Sequence, residues 1–314
     1  MKGYKPHWSQ TSARLMNACP RAWAITYATT SNALRRPKRT TTTPPHTFDE
    51  LLTRTMRSVW LKRLEDQYQR KLWSEPYARR TFENAVDDAI DLVNMRVPQG
   101  QLAIGKERSN QQLRALEQCQ TLRPLFTGQP RRWGFFDRRT SATIGGMEVY
   151  AAPDVALFHQ HRWTLVRLQF RSARRSLLGQ QLEHLLMVHW AMNQPGFPKN
   201  MEAFRVKVVQ WQGQAWKEHS VMVSEGLLRQ SLGLMAHDVQ EMTWLQRWAN
   251  ADPTMDSLPL AVHHEQCQRC RHRPECPARN GLASAREAQE RKAMSRTTTR
   301  RSNRPRRHER RSLS

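Results

Sequence analysis

The stretch APDVALFHQHRWTLVRLQF, residues 152–170, contains two runs rich in β-branched and aromatic residues, separated by a polar piece at 159–162. Runs of this kind with turn-forming residues between them predict two adjacent strands. Outward from this stretch, further strand-like runs occur at 131–137, 142–150, 204–209 and 216–223. Apolar residues at helical spacing predict helices around 182–190 and 228–245. Together these elements predict an α/β core.

The region before this core has the periodicity of helices. We expect helices at 47–73, 76–96 and 108–126, after a basic, proline-containing linker at 35–45. Gly100–Lys106 matches G-x4-G-K, but Glu107 stands where a P-loop has Ser or Thr, so we expect an ordinary loop there. The predicted organisation is an N-terminal segment at 1–45, a helical region at 46–130, the α/β core at 131–262, a cysteine cluster at 263–283 and a disordered basic tail at 284–314.

The charge of the chain is strongly positive. Its 314 residues include 51 Lys or Arg and 27 Asp or Glu, a formal net charge of +24. The segment 284–314 has eleven basic and three acidic residues, so +16 remains on residues 1–283. This balance argues against an ordinary acidic-to-neutral metabolic enzyme and favours a polyanionic partner, nucleic acid first. An acidic membrane or an acidic protein remains the alternative.

The sequence predicts a cytoplasmic protein. It has no run of about 18 or more apolar residues, and its first residues lack the apolar segment of a signal peptide. Five cysteines in an unexported chain are expected to be reduced thiols or metal ligands rather than disulfides.

Three cysteines near the C-terminal end form the strongest motif. Cys267, Cys270 and Cys276 have the spacing C-x2-C-x5-C in a stretch with little apolar content. Three thiolates need a fourth ligand to complete a zinc site or an iron–sulfur cluster. His272, with the nearby His263 and His264, could complete a zinc site, and the remote Cys19 could complete a cluster. The spacing alone leaves both possibilities open.

The cysteine frame resembles that of a known family. Cys19-Pro20 follows a short predicted helix within SARLMNACPRAW, residues 12–23, and lies about 250 residues before the C-x2-C-x5-C motif. This arrangement resembles the iron–sulfur branch of the RecB-like PD-(D/E)XK nucleases, which includes CRISPR-adaptation exonucleases and AddB-type nucleases. The resemblance implies a restriction-endonuclease-like mixed sheet flanked by helices. It also implies a 4Fe–4S cluster on Cys19, Cys267, Cys270 and Cys276.

The resemblance further implies a divalent-metal site, which here is incomplete. His46 and Asp154 match the family's metal-binding His and first carboxylate. Gln169 and Arg171 stand where the family has its second acid and its Lys, and Gln181 keeps the Gln of a motif on the following helix. Glu183 is a weaker candidate to replace the missing acid.

The two substitutions weaken the expected chemistry. A Gln amide brings no negative charge to Mg²⁺ or Mn²⁺, and Arg is a poor base because its pKa exceeds about 12. We therefore expect a DNA-binding, nuclease-like protein whose phosphodiester cleavage is weakened or absent. A non-catalytic DNA-binding or scaffold subunit of a larger complex is the alternative.

Overall fold

The computed structural model describes most of the chain, with side chains as far as residue 295. The described ranges are 6–28, 47–129, 132–171, 178–252, 254–268 and 270–302. Their helices are α1 (Gln10–Ala18), α2 (Pro20–Trp23), α3 (Phe48–Tyr68), α4 (Glu75–Val93), α5 (Gln99–Glu117), α6 (Arg123–Phe126), α7 (Leu178–Met192), α8 (Glu225–Ala251), α9 (His264–Gln268) and α10 (Leu282–Ser302). Their strands are β1 (Trp8–Ser9), β2 (Trp133–Phe135), β3 (Ala142–Ile144), β4 (Met147–Tyr150), β5 (Val155–His159), β6 (Arg162–Gln169), β7 (Phe204–Trp211) and β8 (Trp216–Val221).

The chain divides into two compact units. The larger unit comprises residues 5–10 and 36–240, and the smaller unit comprises residues 1–4, 11–35 and 241–314. The sequence places residues 1–45 and 263–283 in separate segments, whereas most of the first and all of the second belong to the smaller unit. The helical region and most of the predicted α/β core lie together in the larger unit.

The larger unit contains a mixed five-stranded sheet, as an α/β fold requires. Its strand order is β2-β5-β6-β7-β8, and β5 is antiparallel to both of its neighbours. Strand β7 is parallel to β6, and α7 lies in the connection between them, as parallel neighbours need a long crossover. Strand β8 returns antiparallel to β7, and a second sheet has the order β1-β4-β3.

Helices α3, α4 and α5 share one hydrophobic core with this sheet. Leu64 of α3, Phe82 of α4 and Leu116 of α5 are fully buried in the same cluster as Val155 and Val166 from the central strands. Because the helices and the sheet bury their apolar faces against each other, residue 130 is not a boundary between compact parts. Helix α3 thereby runs beside the strands that carry the predicted site.

The smaller unit joins segments from the two ends of the chain. The N–H of Arg21 donates to the carbonyl of Pro259 at 3.1 Å, and the Arg21 guanidinium donates to the carbonyl of Met255. A separate small core is formed by Leu260, Ala261, Cys267, Ala278, Leu282 and Ala285. These contacts order residues 11–28 against 254–285.

Helix α10 occupies much of the segment for which the sequence predicts a disordered tail. Leu282 and Ala285 of its first turn are buried in the small core. The residues that follow are mostly Ala, Gln, Glu, Arg and Lys, which are strong helix formers, so the same composition that lacks apolar anchors still supports a helix. Residues 303–314 lie outside the described part.

Candidate functional site

Asp154 lies at the head of β5, where the sequence predicts a metal-binding carboxylate. Its backbone N–H donates to the carbonyl of Val166 at 2.9 Å, and its own carbonyl accepts from Phe136 at 3.2 Å. The sheet therefore fixes the backbone on both sides. The side chain is 4% exposed, so its charge has to be balanced by protein groups.

Three arginines surround the Asp154 carboxylate. The Arg138 guanidinium binds it in a bidentate manner, Nε to Oδ1 and Nη2 to Oδ2, both at 2.7 Å. Nη2 of Arg57 lies 3.6 Å from Oδ1, and Nη1 of Arg167 lies 3.6 Å from Oδ2. The backbone N–H of Leu168 also donates to Oδ2, at 2.7 Å. Both oxygens of Asp154 are thus already engaged by donors.

The arginines determine the protonation of Asp154. Burial alone would raise the pKa of this carboxyl, but the charges of Arg138, Arg167 and Arg57 outweigh burial and hold the pKa well below its ordinary value. Asp154 is therefore ionised in the folded protein. Its negative charge compensates the arginines.

At Arg57, unlike at Asp154, the attraction of the opposite charge does not outweigh burial. Burial and the nearby charge of Arg138 lower the pKa of Arg57, Asp154 opposes both, and the resulting pKa is about 10. One carboxylate thus faces three guanidinium groups. The cluster retains surplus positive charge.

Gln169 and Arg171 lie at the end of β6, as the sequence predicts for the family's acid and Lys positions. The amide Nε2 of Gln169 donates to Nε2 of His184 on α7 at 3.2 Å. Nε of Arg171 donates to the hydroxyl of Thr53 on α3 at 3.0 Å. The end of β6 is tied to α5 as well, because the Gln112 amide donates to the carbonyl of Phe170 at 2.9 Å.

The remaining predicted site residues are Gln181 and Glu183, which lie on α7, and His46. Gln181 is exposed on the first part of α7, and the Glu183 carboxylate accepts from the Gln10 amide at 2.7 Å. His46, the predicted metal-binding His, lies outside the described residues. The structure therefore brings Asp154, Gln169 and Arg171 to one end of β5 and β6.

The sequence did not single out the arginine cluster. Arg138 stands in the pair Arg138-Arg139, and such basic pairs usually lie on solvated faces. Signals for burial were present, however. Arg167 stands in the middle of an apolar strand, and Arg57 follows Met56 on the apolar face of α3. A charge at a buried position requires a partner, and Asp154 is that partner.

The second candidate site lies in the smaller unit. Cys19, Cys267, Cys270 and Cys276 line one pocket, together with His272. Cys19 precedes α2, and its Sγ accepts from the N–H of Ala22 at 3.4 Å. Of the histidines considered for zinc, His272 bonds through Nε2 to the Thr26 hydroxyl at 3.2 Å.

The pKa shifts of these thiols are those expected where several cysteines lie close enough to share bound metal ions. Burial raises the pKa of Cys19 and of Cys267, and the charges of Cys270 and Cys276 raise both further, while a hydrogen bond from Ala22 partly opposes this at Cys19. Neighbouring thiolates repel each other, and bound metal ions would remove that repulsion. Among the described residues, however, no three Cys, His, Asp or Glu side chains already form a group that could hold a metal ion. The four thiols are the type of ligand that an iron–sulfur cluster requires, but their side chains are not arranged as a complete ligand group.

No model of a known protein family matches this chain, and no curated protein sequence matches it. In the described part of the chain, no helix is long and apolar enough to cross a lipid bilayer.

Proposed function

We propose that this chain is a DNA-binding protein with a restriction-endonuclease-like core of the iron–sulfur RecB-like branch, and that this core does not cleave DNA. The observation that carries the proposal is that three arginines form ion pairs with Asp154. Such a protein would act in DNA repair, recombination or defence as a binding or scaffold subunit.

The positions of the motif residues on their elements support the core assignment. Asp154 heads one strand, Gln169 ends the next strand with Arg171 two residues later, and Gln181 lies on the helix that follows. This is the order of positions that the resemblance implies. Strands β5 and β6 are adjacent, with Val155 opposite Val166, so the head of one lies near the end of the other.

The contacts of Asp154 support the loss of cleavage. Mg²⁺ and Mn²⁺ require anionic oxygen ligands, and a nuclease uses the bound ion to polarise the phosphate and activate water. Here the Asp154 oxygens accept from Arg138 and Leu168, and the second acid position is the neutral Gln169. A divalent ion would have to displace Arg138 and would also be repelled by Arg57 and Arg167.

The cysteine pocket supports a 4Fe–4S cluster on Cys19, Cys267, Cys270 and Cys276. Thiolates are the usual ligands of such clusters, and four of them line this one pocket. The pocket is formed by residues from both ends of the chain. The proposed role of the cluster is therefore structural, since it would fasten these two segments to each other.

The charge of the chain supports DNA as the partner. A net charge of +16 remains on residues 1–283, and positively charged proteins bind the phosphate backbone of DNA with an affinity that falls steeply with salt. The arginines at Asp154 add positive charge at the end of β5 and β6, where the resemblance implies the metal site.

The test combines binding and cleavage by the anaerobically purified full chain. Labelled single- and double-stranded oligonucleotides are titrated at about 50 and 200 mM salt, the range over which phosphate contacts lose most of their affinity. The same oligonucleotides are incubated with Mg²⁺ or Mn²⁺. We expect salt-dependent binding of at least one DNA form and no cleavage above the metal-free control.

A double variant provides the matched comparison. Gln169→Glu with Arg171→Lys restores the family's residue types, but we expect it to remain inactive because Arg138 still occupies Asp154. Metal-dependent cleavage by the parent, above the metal-free control, would contradict the loss of catalysis. A parent protein with no affinity for either DNA form at low salt would contradict the binding function.

A further inference from the structure

The arginine cluster at Asp154 has an inner and an outer side. Arg167 is 7% exposed, whereas Arg57 and Arg138 are 32% and 28% exposed. The outer side therefore presents two guanidinium groups to solvent. The three arginines and Asp154 together carry a net charge of +2. Asp137, which also acts on Arg57, is paired with Arg139.

A third guanidinium borders this outer side. The exposed Arg171 donates from Nε to the hydroxyl of Thr53, and that hydroxyl in turn donates to the carbonyl of Asp49 at 2.7 Å. Thr53 and Arg57 lie four residues apart on α3, about 6 Å along the helix axis and on the same face. Arg171 is thus anchored one helical turn from Arg57.

The cluster is arranged in advance for an anion. Asp154 and the carbonyl of Leu168 hold the Arg138 guanidinium in a fixed orientation. Burial, and then repulsion by the charge of Arg138, lower the pKa of Arg57 to about 10, while Asp154 and Asp137 oppose both. An anion at the outer side would relieve that repulsion without requiring any side chain to leave Asp154.

We propose that Arg57, Arg138 and Arg171 form a binding site for one backbone phosphate of DNA, which rests on the function proposed above. Guanidinium groups donate charge-assisted hydrogen bonds to phosphate oxygens. Because Nε and Nη2 of Arg138 donate to Asp154 and Leu168, Arg138 would donate to the phosphate through Nη1. Arg171 would donate through its Nη atoms, since its Nε donates to Thr53. The arginines then contact the phosphate directly, at the position where a metal ion would otherwise join it to Asp154. Asp154 acts as a positioning residue for Arg138 rather than as a metal ligand.

The test measures DNA affinity against salt for the parent and for Arg57→Gln, using the anaerobically purified full chain and several short duplexes of different sequence. Arg138 and Arg167 still balance Asp154 in this variant. A lost phosphate contact reduces the slope of log affinity against log salt by about 0.9 for a duplex. We expect this reduction together with weaker binding at low salt, to a similar extent for duplexes of different sequence.

Two further variants separate a phosphate contact from a general effect. Arg79→Gln removes the same charge from α4, where Arg79 pairs with Glu83 and Glu107, and we expect it to keep the parent slope. Arg171→Gln changes an exposed side chain without touching Asp154, and we expect it to lower the slope as Arg57→Gln does. If both variants at the proposed site retain the slope and affinity of the parent, the phosphate site is wrong while DNA binding stands.

A probe without DNA distinguishes failure of the site from failure of the proposed function. Inorganic phosphate is titrated against the melting temperature of the parent and of Arg57→Gln. If the parent binds no DNA but phosphate stabilises it and not the variant, the anion site is supported and DNA is the wrong source of the phosphate. If the parent binds no DNA and phosphate affects both proteins equally, the site is overturned as well.

Discussion

At the scale of single residues, Asp154 has the position that the resemblance implies, but its side chain has different partners. It occupies the head of β5, where the resemblance implies a metal ligand, yet its carboxylate neutralises the partly buried Arg138 and the buried Arg167. Residue type and spacing placed Asp154 correctly on its strand. The partners of its side chain depend on α3 and on the segment after β2, which sequence spacing does not reveal.

Asp154→Asn should strongly destabilise the fold. The substitution keeps the shape of the side chain but leaves Arg138 and Arg167 without their counter-charge, and breaking a buried ion pair costs about 3–5 kcal/mol. Urea unfolding measures the loss. Asp87→Asn is the control, because Asp87 pairs with Lys106 at the surface and is 51% exposed, which predicts a change below about 1 kcal/mol. Equal effects of the two variants would contradict a structural role for Asp154.

The same carboxylate should make stability depend on acid pH. Its pKa in the folded state lies below the ordinary value of 3.8, so the unfolded chain takes up its proton first as the pH falls. The contribution of Asp154 is therefore complete above about pH 4 and is lost as the pH falls further toward the folded-state pKa. Unfolding measured from pH 7 to pH 3 should show the parent and Asp154→Asn converging in acid. A constant difference across that range would count against this assignment.

At the scale of elements, most strands and helices were predictable because their periodicity is local. The runs at 204–209 and 216–223 correspond to β7 and β8, and the apolar spacing at 182–190 corresponds to α7. Two of the disagreements have clear physical causes. Gly100–Lys106, expected as a loop, begins α5, and 284–302, expected as a tail, is largely α10. Glycine and a lack of apolar residues suggested irregular structure, but packing and helix propensity determined the result.

Gly105 lies where α5 packs closely against α3. A Cβ at this position would lie 2.7 Å from Cε1 of Phe48 and 3.0 Å from Cδ1 of Leu52, both on α3. The missing side chain thus permits the close approach of α5 to α3. Sequence patterns give no sign of such a contact, because it depends on how two helices pack.

Gly105→Ala should therefore destabilise the larger unit although Ala is the better helix former. Overpacking against Phe48 costs roughly 1–3 kcal/mol, which exceeds the gain of about 0.5–1 kcal/mol in helix propensity. Gly100→Ala on the same helix is the matched control, since a Cβ there meets nothing within 4 Å and should stabilise slightly. Thermal unfolding compares the two. If both variants are stabilised, the proposed helix contact does not limit residue 105.

At the scale of the whole molecule, the two ends of the chain belong to one compact unit, and the charge is spread over both units. The sequence anticipated that Cys19 would join the C-terminal cysteines through the family resemblance, since nothing in local spacing links positions 250 residues apart. The basic charge was readable from composition. Its local concentration at Asp154 was not, because it arises from α3, β6 and residue 138 meeting in the fold.

The last prediction concerns the cysteine pocket. We expect Cys19 to be a ligand of an iron–sulfur cluster and Cys119 not to be one. Cys119 is buried in the larger unit, where burial raises the pKa of its thiol to about 12, so it remains a neutral core side chain. Cys19→Ser should lose iron, sulfide and broad visible absorbance, and should lower the melting temperature because the cluster would hold both chain ends. Cys119→Ser should retain the metal content and absorbance of the parent.

Three measurements decide this prediction: iron and acid-labile sulfide per chain, the visible spectrum, and thermal unfolding of the anaerobically purified proteins. Retention of full iron content in Cys19→Ser would remove Cys19 from the ligand set. One equivalent of zinc without iron in the parent would replace the cluster with a zinc site. His272, which lines the same pocket beside Thr26, would then be the side chain to substitute next.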